Sequence, residues 1–334
     1  METNRRSFLR AAGSSVVLGA GSMLNAPAAA QTPAPPVSFP GIPNPLEGAV
    51  EAIATGYIWT EGPVWVGGDD GYLLFSDVPG NAIYNWDGKR TTAFLAPSGL
   101  QSFPIPASIR EAGSNGLALG RGGLLIADSG TRALARVDLA TRQKAVFAES
   151  YQGKRFNSPN DLVVAKNGAV YFTDPPYGLA GVQKSPLREL TYTGVFRVTP
   201  DNQVQLIADN LFPNGIALSP DNRILYATDN SGWVAIDLDA SGMPAGQRPF
   251  VLSEKVGGAR GDGMKADSAG NIWTSGRGGI YVFSPKGEHI GFAPITGRVS
   301  NCAFGPGRYL YVTNDTQVVR GRIRADFPGG APIQ

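Results

Sequence analysis

Short runs of apolar residues, separated by turn residues, recur along the chain and predict β-strands in a regular order. One phrase is repeated six times: an acid or amide, a short apolar run, a loose turn, and a second β-rich run that ends in small polar or acidic residues. The copies begin 39 to 54 residues apart, which is typical of the blades of a β-propeller. Their leading residues, called the leaders below, are Glu61, Asn115, Asn160, Asn214, Asp262 and Asn301.

Further strand patterns complete each repeat. A third run follows in all six repeats and a fourth run in five of them. The sixth repeat lacks its fourth strand, and residues 49–54 can supply it, which would remove two unpaired sheet edges. The sequence therefore predicts an all-β fold: a six-bladed β-propeller with four-stranded blades, closed by an N-terminal strand in the last blade.

This topology places the leaders and the ends of the second strands at one end of the predicted propeller. Two long connections, residues 96–114 and 175–193, lie at the same end. Long loops over a rigid scaffold commonly determine binding specificity, so this end is the predicted functional face.

The first 45 residues have a different pattern from the rest. Residues 4–10 (NRRSFLR) form a twin-arginine signature, which a weakly apolar stretch and an alanine-rich cleavage site follow. The predicted organisation is a twin-arginine signal peptide at 1–30, a Pro-rich tether at 31–45 and the propeller domain at 46–334. The predicted location is periplasmic or secreted, after passage through the twin-arginine export machinery.

Charge and cysteine content exclude several classes of partner. Without residues 1–30 the chain has as many acidic as basic residues, so it has no broad attraction for nucleic acid or anionic lipid. No apolar stretch is long enough to span a membrane. Cys302 has no second cysteine to pair with, so the fold must be stable without a disulfide.

Every leader carries a side-chain oxygen, and the predicted ring brings the six to one axis. Oxygen ligands suit Ca²⁺, and also Mg²⁺ and Mn²⁺, whereas structural Zn²⁺ sites prefer nitrogen or sulfur. The sequence predicts one divalent ion, with Ca²⁺ as first choice and Mn²⁺, Mg²⁺ or Zn²⁺ as alternatives. Because Asn-Gly and Asp-Gly pairs also form ordinary turns, Asn115 and Asn301 have a purely structural interpretation as well. Glu61 occupies the equivalent position in its repeat although glutamate is a poor turn former, which argues against a purely structural interpretation of all six leaders.

The single histidine limits the possible chemistry. His289 falls on a predicted outer strand, which excludes triads and dyads that need an imidazole. The Gly-rich residues 113–123 match no phosphate-binding spacing. What remains is a metal ion that polarises a carbonyl, with Asp262 or a metal-bound hydroxide to deliver water.

Four segments carry a recognisable pattern: residues 60–65 (TEGPVW), 155–161 (RFNSPND), 212–217 (FPNGIA) and 262–264 (DGM). In sequence and in order they resemble the regucalcin (senescence marker protein) and gluconolactonase family, in particular its bacterial gluconolactonase-like branch. The resemblance implies a six-bladed propeller, one divalent ion in its tunnel and hydrolysis of a sugar lactone such as gluconolactone.

The same resemblance implies residue roles. It assigns Glu61, Asn214 and Asp262 as metal ligands, and Asn160 as a fourth ligand or a substrate contact. Asp262 would also be the general base. Substrate contacts would come from Arg155 and Asn157, in a segment that differs from the animal members. We add Asn115 and Asn301 as further candidate substrate contacts.

Two other functions stay open at the level of sequence. The same site could hydrolyse another ester, a phosphotriester or an ether, because a fold alone does not determine the substrate. Alternatively, the ion could only brace a non-catalytic binding propeller. The expected partner is a small-molecule lactone, with no nucleic acid; the sequence does not fix the oligomeric state.

Overall fold

The structure is a computed structural model that describes residues 37–332. The predicted signal peptide and residues 31–36 of the predicted tether lie outside the described residues. Within the described range, no helix is long and apolar enough to cross a membrane.

Strands make up most of the regular structure in residues 37–332. In chain order they are β1 (Leu46–Thr55), β2 (Thr60–Val66), β3 (Tyr72–Asp77), β4 (Ala82–Trp86), β5 (Thr91–Leu95), β6 (Ser114–Gly120), β7 (Gly123–Asp128), β8 (Ala133–Val137), β9 (Lys144–Ala148), β10 (Ser150–Tyr151), β11 (Lys154–Arg155), β12 (Leu162–Val164), β13 (Val170–Thr173), β14 (Val195–Val198), β15 (Val204–Ala208), β16 (Ile216–Leu218), β17 (Ile224–Asp229), β18 (Gly232–Leu238), β19 (Pro244–Leu252), β20 (Met264–Ala266), β21 (Ile272–Phe283), β22 (His289–Gly305), β23 (Tyr309–Asn314) and β24 (Gln317–Ile323). Three short 3₁₀ helices lie at Val182–Lys184, Ser253–Val256 and Pro306–Arg308.

The strands form a β-propeller, but the prediction of six four-stranded blades is wrong. Counted as hydrogen-bonded sheets among the described residues, there are five blades and one small hairpin of β10 and β11. Four blades have four strands in the orders β2-β3-β4-β5, β6-β7-β8-β9, β12-β13-β14-β15 and β16-β17-β18-β19. The fifth has six strands in the order β1-β24-β23-β22-β21-β20, and none of these sheets closes on itself.

The length of β22 explains the difference in blade count. Its first part pairs with β21, with His289 opposite Phe283, and its last part pairs with β23, with Gly305 opposite Tyr309. Although a new repeat begins at Asn301, β22 runs without a break from His289 to Gly305. The repeats that begin at Asp262 and Asn301 therefore share one sheet.

The two ends of the described chain meet in this six-stranded sheet. Strand β1 pairs antiparallel with β24, with Leu46 opposite Ile323 and Thr55 opposite Gln317. The edge of β24 thereby gains a hydrogen-bonded partner from the start of the chain.

Apolar side chains fill the spaces between neighbouring blades. One such cluster contains Leu125 and Phe172, and another contains Leu74 and Ile126. All four side chains are fully buried. Burial of this apolar surface is the main favourable term that holds the blades together. The blades in turn fix the positions of the residues at which the inner strands begin.

Candidate active site

The glycines that follow the leaders are required by the close approach of neighbouring inner strands. A Cβ on Gly62 would lie 2.2 Å from the carbonyl oxygen of Asn115, and one on Gly215 would lie 2.2 Å from that of Asp262. The backbone N–H of Gly215 donates to this Asp262 oxygen at 3.0 Å. The leader–glycine pairs are therefore contacts between blades, and they hold the starts of adjacent inner strands together.

One cavity of about 550 Å³ opens where these strands begin. It is lined by Ile58, Trp59, Glu61, Pro79, Arg110, Glu111, Asn115, Asn160, Tyr177, Asn214, Asp262 and Arg298. Five of the six leaders belong to this lining. The structure therefore brings the four predicted metal-binding side chains, Glu61, Asn160, Asn214 and Asp262, to the wall of one cavity.

The two carboxylates among these leaders repel each other; Glu61 is buried and Asp262 is partly buried. Glu61 is only 3% exposed, and its pKa is raised well above its usual value by burial and then by the charges of Asp262 and Asp161. Burial, followed by the charges of Asp161 and Glu111, raises the pKa of Asp262 to about 8. Oδ1 of Asp262 is buried without a hydrogen-bond partner in residues 37–332. Negative charge in this cavity is thus incompletely balanced by protein groups.

This environment fits a divalent cation with oxygen ligands. No group of three or more His, Cys, Asp or Glu that could hold a metal occurs among the residues described. The candidate cage instead combines two carboxylates with the amides of Asn160 and Asn214. Oxygen donors of mixed charge suit Ca²⁺, and a cation would offset the repulsion between Glu61 and Asp262.

Asn301 is the leader that does not line the cavity. It is 1% exposed, and its Nδ2 donates to Oε2 of Glu61 at 3.4 Å and to Oδ2 of Asp161 at 3.3 Å. The ammonium of Lys265 donates to Oδ1 of Asn301 at 3.2 Å. Asn301 therefore orients the Glu61 carboxylate rather than facing the cavity as the predicted substrate contact would. Asn115, the other predicted extra contact, does line the cavity.

Arg155 and Asn157 are not part of the cavity lining. The Asn157 side chain is fully buried and donates to the carbonyl oxygens of Asp174 and Tyr192, at 3.1 and 3.0 Å. Arg155 donates to the carbonyl of Thr131 at 2.6 Å. In this arrangement both side chains brace the loops around the cavity, and the predicted substrate contacts would require them to leave these partners.

Asp174, at the end of β13, anchors the same loop. Its two carboxylate oxygens accept the backbone N–H groups of Asn157 at 2.7 Å and Ser158 at 2.8 Å. Burial is the largest influence on this group, and it raises the pKa of Asp174 to about 7.

The two long connections form one wall of the cavity, as their length suggests. The backbone N–H groups of Arg110 and Glu111 donate to the carbonyl of Gly178, at 2.8 and 3.2 Å. This pairing places Glu111 and Tyr177 on the lining. Burial and the nearby Asp262 raise the pKa of Tyr177 to about 12, so its hydroxyl stays protonated and can donate a hydrogen bond.

The lining also contains an aromatic and a cationic side chain that contact each other. The guanidinium of Arg298 lies over the ring of Trp59, 4.5 Å from its centroid, and donates to Asp315 at 2.9 Å. The backbone N–H of Trp59 donates to Asp77 at 3.1 Å. Arg298 adds positive charge to the cavity and Trp59 adds a flat apolar surface beside its oxygen-bearing side chains.

Sequence reasoning missed Glu111 and Asp161. Glu111 reaches the cavity through hydrogen bonds to a loop far away in the chain, which no local pattern reveals. Asp161 follows the leader Asn160 directly, but it precedes β12, which begins at Leu162, so strand alternation does not predict where its side chain points. The only signal in the sequence was an acidic residue next to a leader.

The fold and the site define a β-propeller protein with an acidic, oxygen-lined cavity at one end of its inner strands. The model of the SMP-30/Gluconolactonase/LRE-like region matches residues 59–316. The chain therefore belongs to this family, which confirms the prediction of family made from the four segments.

Named relatives agree with this membership. A gluconolactonase of Zymomonas mobilis is 45% identical over 295 residues, which cover 82% of this chain and 81% of that protein. The pentonolactonase XacC of Haloferax volcanii is 28% identical over 264 residues, covering 76% and 80%. Both of these relatives are named as lactonases.

Solved structures show the same fold. A gluconolactonase of Xanthomonas campestris superposes with a TM-score of 0.70 at 29% identity, covering 88% of this chain and 99% of that one. A calcium-binding regucalcin of Agrobacterium tumefaciens gives a TM-score of 0.66 at 20% identity, covering 88% and 99%. At this identity the second similarity shows the fold alone.

Proposed function

We propose that the protein hydrolyses a sugar lactone, such as an aldonolactone, and that it needs a divalent metal ion held by Glu61, Asn160, Asn214 and Asp262. The observation that carries the proposal is the convergence of these four oxygen-bearing side chains on one cavity. A gluconolactonase 45% identical over most of its length supports the substrate class.

The unpartnered oxygen of Asp262 supports its role as the base. During hydrolysis a water molecule forms a bond to the lactone carbonyl carbon, and the ester bond to the ring oxygen breaks. The water loses a proton as it attacks, and Oδ1 of Asp262 is free to accept it. When bound, a divalent cation supplies positive charge that polarises the carbonyl and keeps buried carboxylates ionised.

Other lining residues suit a hydroxylated substrate. The amide of Asn115 and the hydroxyl of Tyr177 can donate hydrogen bonds to sugar oxygens, and Trp59 offers an apolar ring face. These contacts would orient the lactone so that its carbonyl faces Asp262. Closely placed reacting groups lower the barrier by converting a bimolecular encounter into a bound geometry.

The test measures lactone opening with a pH indicator on glucono-δ-lactone. We expect turnover that chelator abolishes and that Ca²⁺, Mn²⁺, Mg²⁺ or Zn²⁺ restores, each added alone. Asp262→Asn and Glu61→Gln should lose at least about 10²-fold in kcat/KM, whereas the exposed Glu254→Gln should behave like the wild type. Full activity in metal-free protein, confirmed by elemental analysis, would refute the metal requirement.

The twin-arginine signature at residues 4–10 supports a proposed route of export to the periplasm or beyond. The test replaces Arg5 and Arg6 with lysine and follows the protein by cell fractionation. We expect the variant to stay in the cytoplasm, and unchanged export would contradict this route.

A further inference from the structure

The two long connections are hydrogen-bonded to each other beside the cavity. Ile109 and Leu179 form an isolated antiparallel bridge, and the N–H of Ala180 donates to the carbonyl of Ser108 at 2.9 Å. The N–H of Glu111 donates to the carbonyl of Gly178 at 3.2 Å. These bonds fix Glu111 on the cavity wall, on an element separate from the strand start that carries Asp262.

The carboxyl group of Glu111 is buried, and only one of its two oxygens accepts a hydrogen bond. Its Oε1 accepts a hydrogen bond from Arg110 at 2.7 Å, and Oε2 has no hydrogen-bond partner in the described part of the chain. The residue is 7% exposed. A buried carboxylate oxygen without a partner is costly, and a group that lines a cavity in this state is available to a ligand.

The environment of Glu111 favours retention of a proton. Burial raises the pKa of its carboxyl group, and Arg110 lowers it by a smaller amount. A protonated carboxyl group can donate a hydrogen bond or a proton through the unpartnered oxygen.

Lactone opening needs such a donor. Asp262 accepts the proton of the attacking water, but the ring oxygen leaves with an electron pair and must also gain a proton. An alkoxide is a poor leaving group, so a proton delivered as the bond breaks lowers the barrier.

We propose that Glu111 is a second catalytic residue of this cavity, the acid that protonates the leaving ring oxygen. The inference rests on the proposed lactone hydrolysis. The carbonyl carbon–ring oxygen bond breaks, its electron pair goes to the ring oxygen, and that oxygen takes the proton from Oε2 of Glu111. The proton that Asp262 took from water is then released to solvent with the acid product, and solvent reprotonates Glu111.

The test compares two lactones with different leaving groups. In glucono-δ-lactone the ring oxygen leaves as an alkoxide and needs a proton from the acid. In dihydrocoumarin it leaves as a phenoxide, a better leaving group that hardly needs the acid. We expect Glu111→Gln to lower kcat on glucono-δ-lactone by about 10²-fold with little change in KM, and to lower kcat on dihydrocoumarin much less. Glu111→Asp should recover part of the lost rate, and the exposed Glu254→Gln serves as the matched control.

The outcomes separate this inference from the proposed function. Equal losses on both lactones, a rise in KM alone, or an unchanged rate would each overturn the role of Glu111. A wild-type enzyme that opens no lactone with any of the four metals would overturn the proposed function itself. Thermal unfolding of Glu111→Gln distinguishes a lost acid from a damaged fold.

Discussion

Asn301 and Glu61, which lie 240 positions apart in the chain, are joined by a 3.4 Å contact from Nδ2 to Oε2. The contact connects the inner part of β22 to β2, across the junction between the last blade and the first. A side chain that orients a metal ligand affects metal affinity even though it does not touch the ion.

This relationship predicts the effect of Asn301→Ala. The variant leaves Oε2 of Glu61 without this donor, so we expect Ca²⁺ affinity to fall by about 10- to 100-fold. Titration calorimetry on chelator-treated protein measures the change, and Asn210→Ala on the exposed surface is the control. Unaltered affinity in a folded Asn301→Ala protein would show that the contact does not position Glu61.

The close approach of inner strands predicts the effect of Gly215→Ala. The new Cβ would lie 2.2 Å from the carbonyl oxygen of Asp262, so the two strands must separate. We expect a loss of at least about 2 kcal/mol in the free energy of unfolding, measured by denaturant titration.

Gly68→Ala is the matched control for this substitution. Nothing lies within 4 Å of a Cβ built on Gly68, and its φ is not positive. We expect a change within about 0.5 kcal/mol. If both variants were equally stable, the close approach at Gly215 would not constrain the sequence.

Asp174 predicts a pH dependence of stability. Its pKa is raised from the ordinary 3.8 to about 7 in the folded protein, so the folded state holds a proton that the unfolded state has released. The stability from this group is present below pH 3.8 and is lost as the pH rises toward 7. The full effect is about 4 kcal/mol at most.

Asp174→Asn removes this titration. Its amide can accept at only one of the two backbone N–H groups, so we expect lower stability at pH 5 but a smaller change from pH 5 to 8 than in the wild type. Urea unfolding at several pH values checks this, with the exposed Asp69→Asn as control. A variant with the wild-type slope would exclude Asp174 as the titrating group.

Metal removal is expected to lower thermal stability as well as activity. A ligand that binds only the folded state at 100 times its Kd stabilises it by about 2.7 kcal/mol. Chelator should therefore lower the Tm of the wild type and Ca²⁺ should restore it, with a much smaller difference in Asp262→Asn. A Tm independent of both additions would argue against an ion between Glu61 and Asp262.

Local patterns predicted the strands well but not how they are shared between sheets. The third runs of the first two repeats form strands β4 and β8, because alternating apolar residues and turns determine them locally. Blade number depends on whether β22 continues through residues 294–300, and long-range pairing with β21 decides that.

The same distinction applies to the site. Glu61 and Asp262 meet because the repeat itself places them at equivalent positions. Arg155 and Asn157 were assigned by a motif in a loop, and the conformation of that loop depends on buried partners such as Asp174. Glu111 was missed because its position depends on the fold of a second loop.

The pairing of β1 with β24 has a consequence for biosynthesis. Leu46 cannot meet Ile323 until all of the strands from β1 to β24 have left the ribosome, and contacts of such long range form slowly. Until then β1 has unpaired backbone N–H and C=O groups that can pair with a strand of another molecule. Nascent or truncated chains should therefore be the species most prone to aggregate, and they depend most on chaperones.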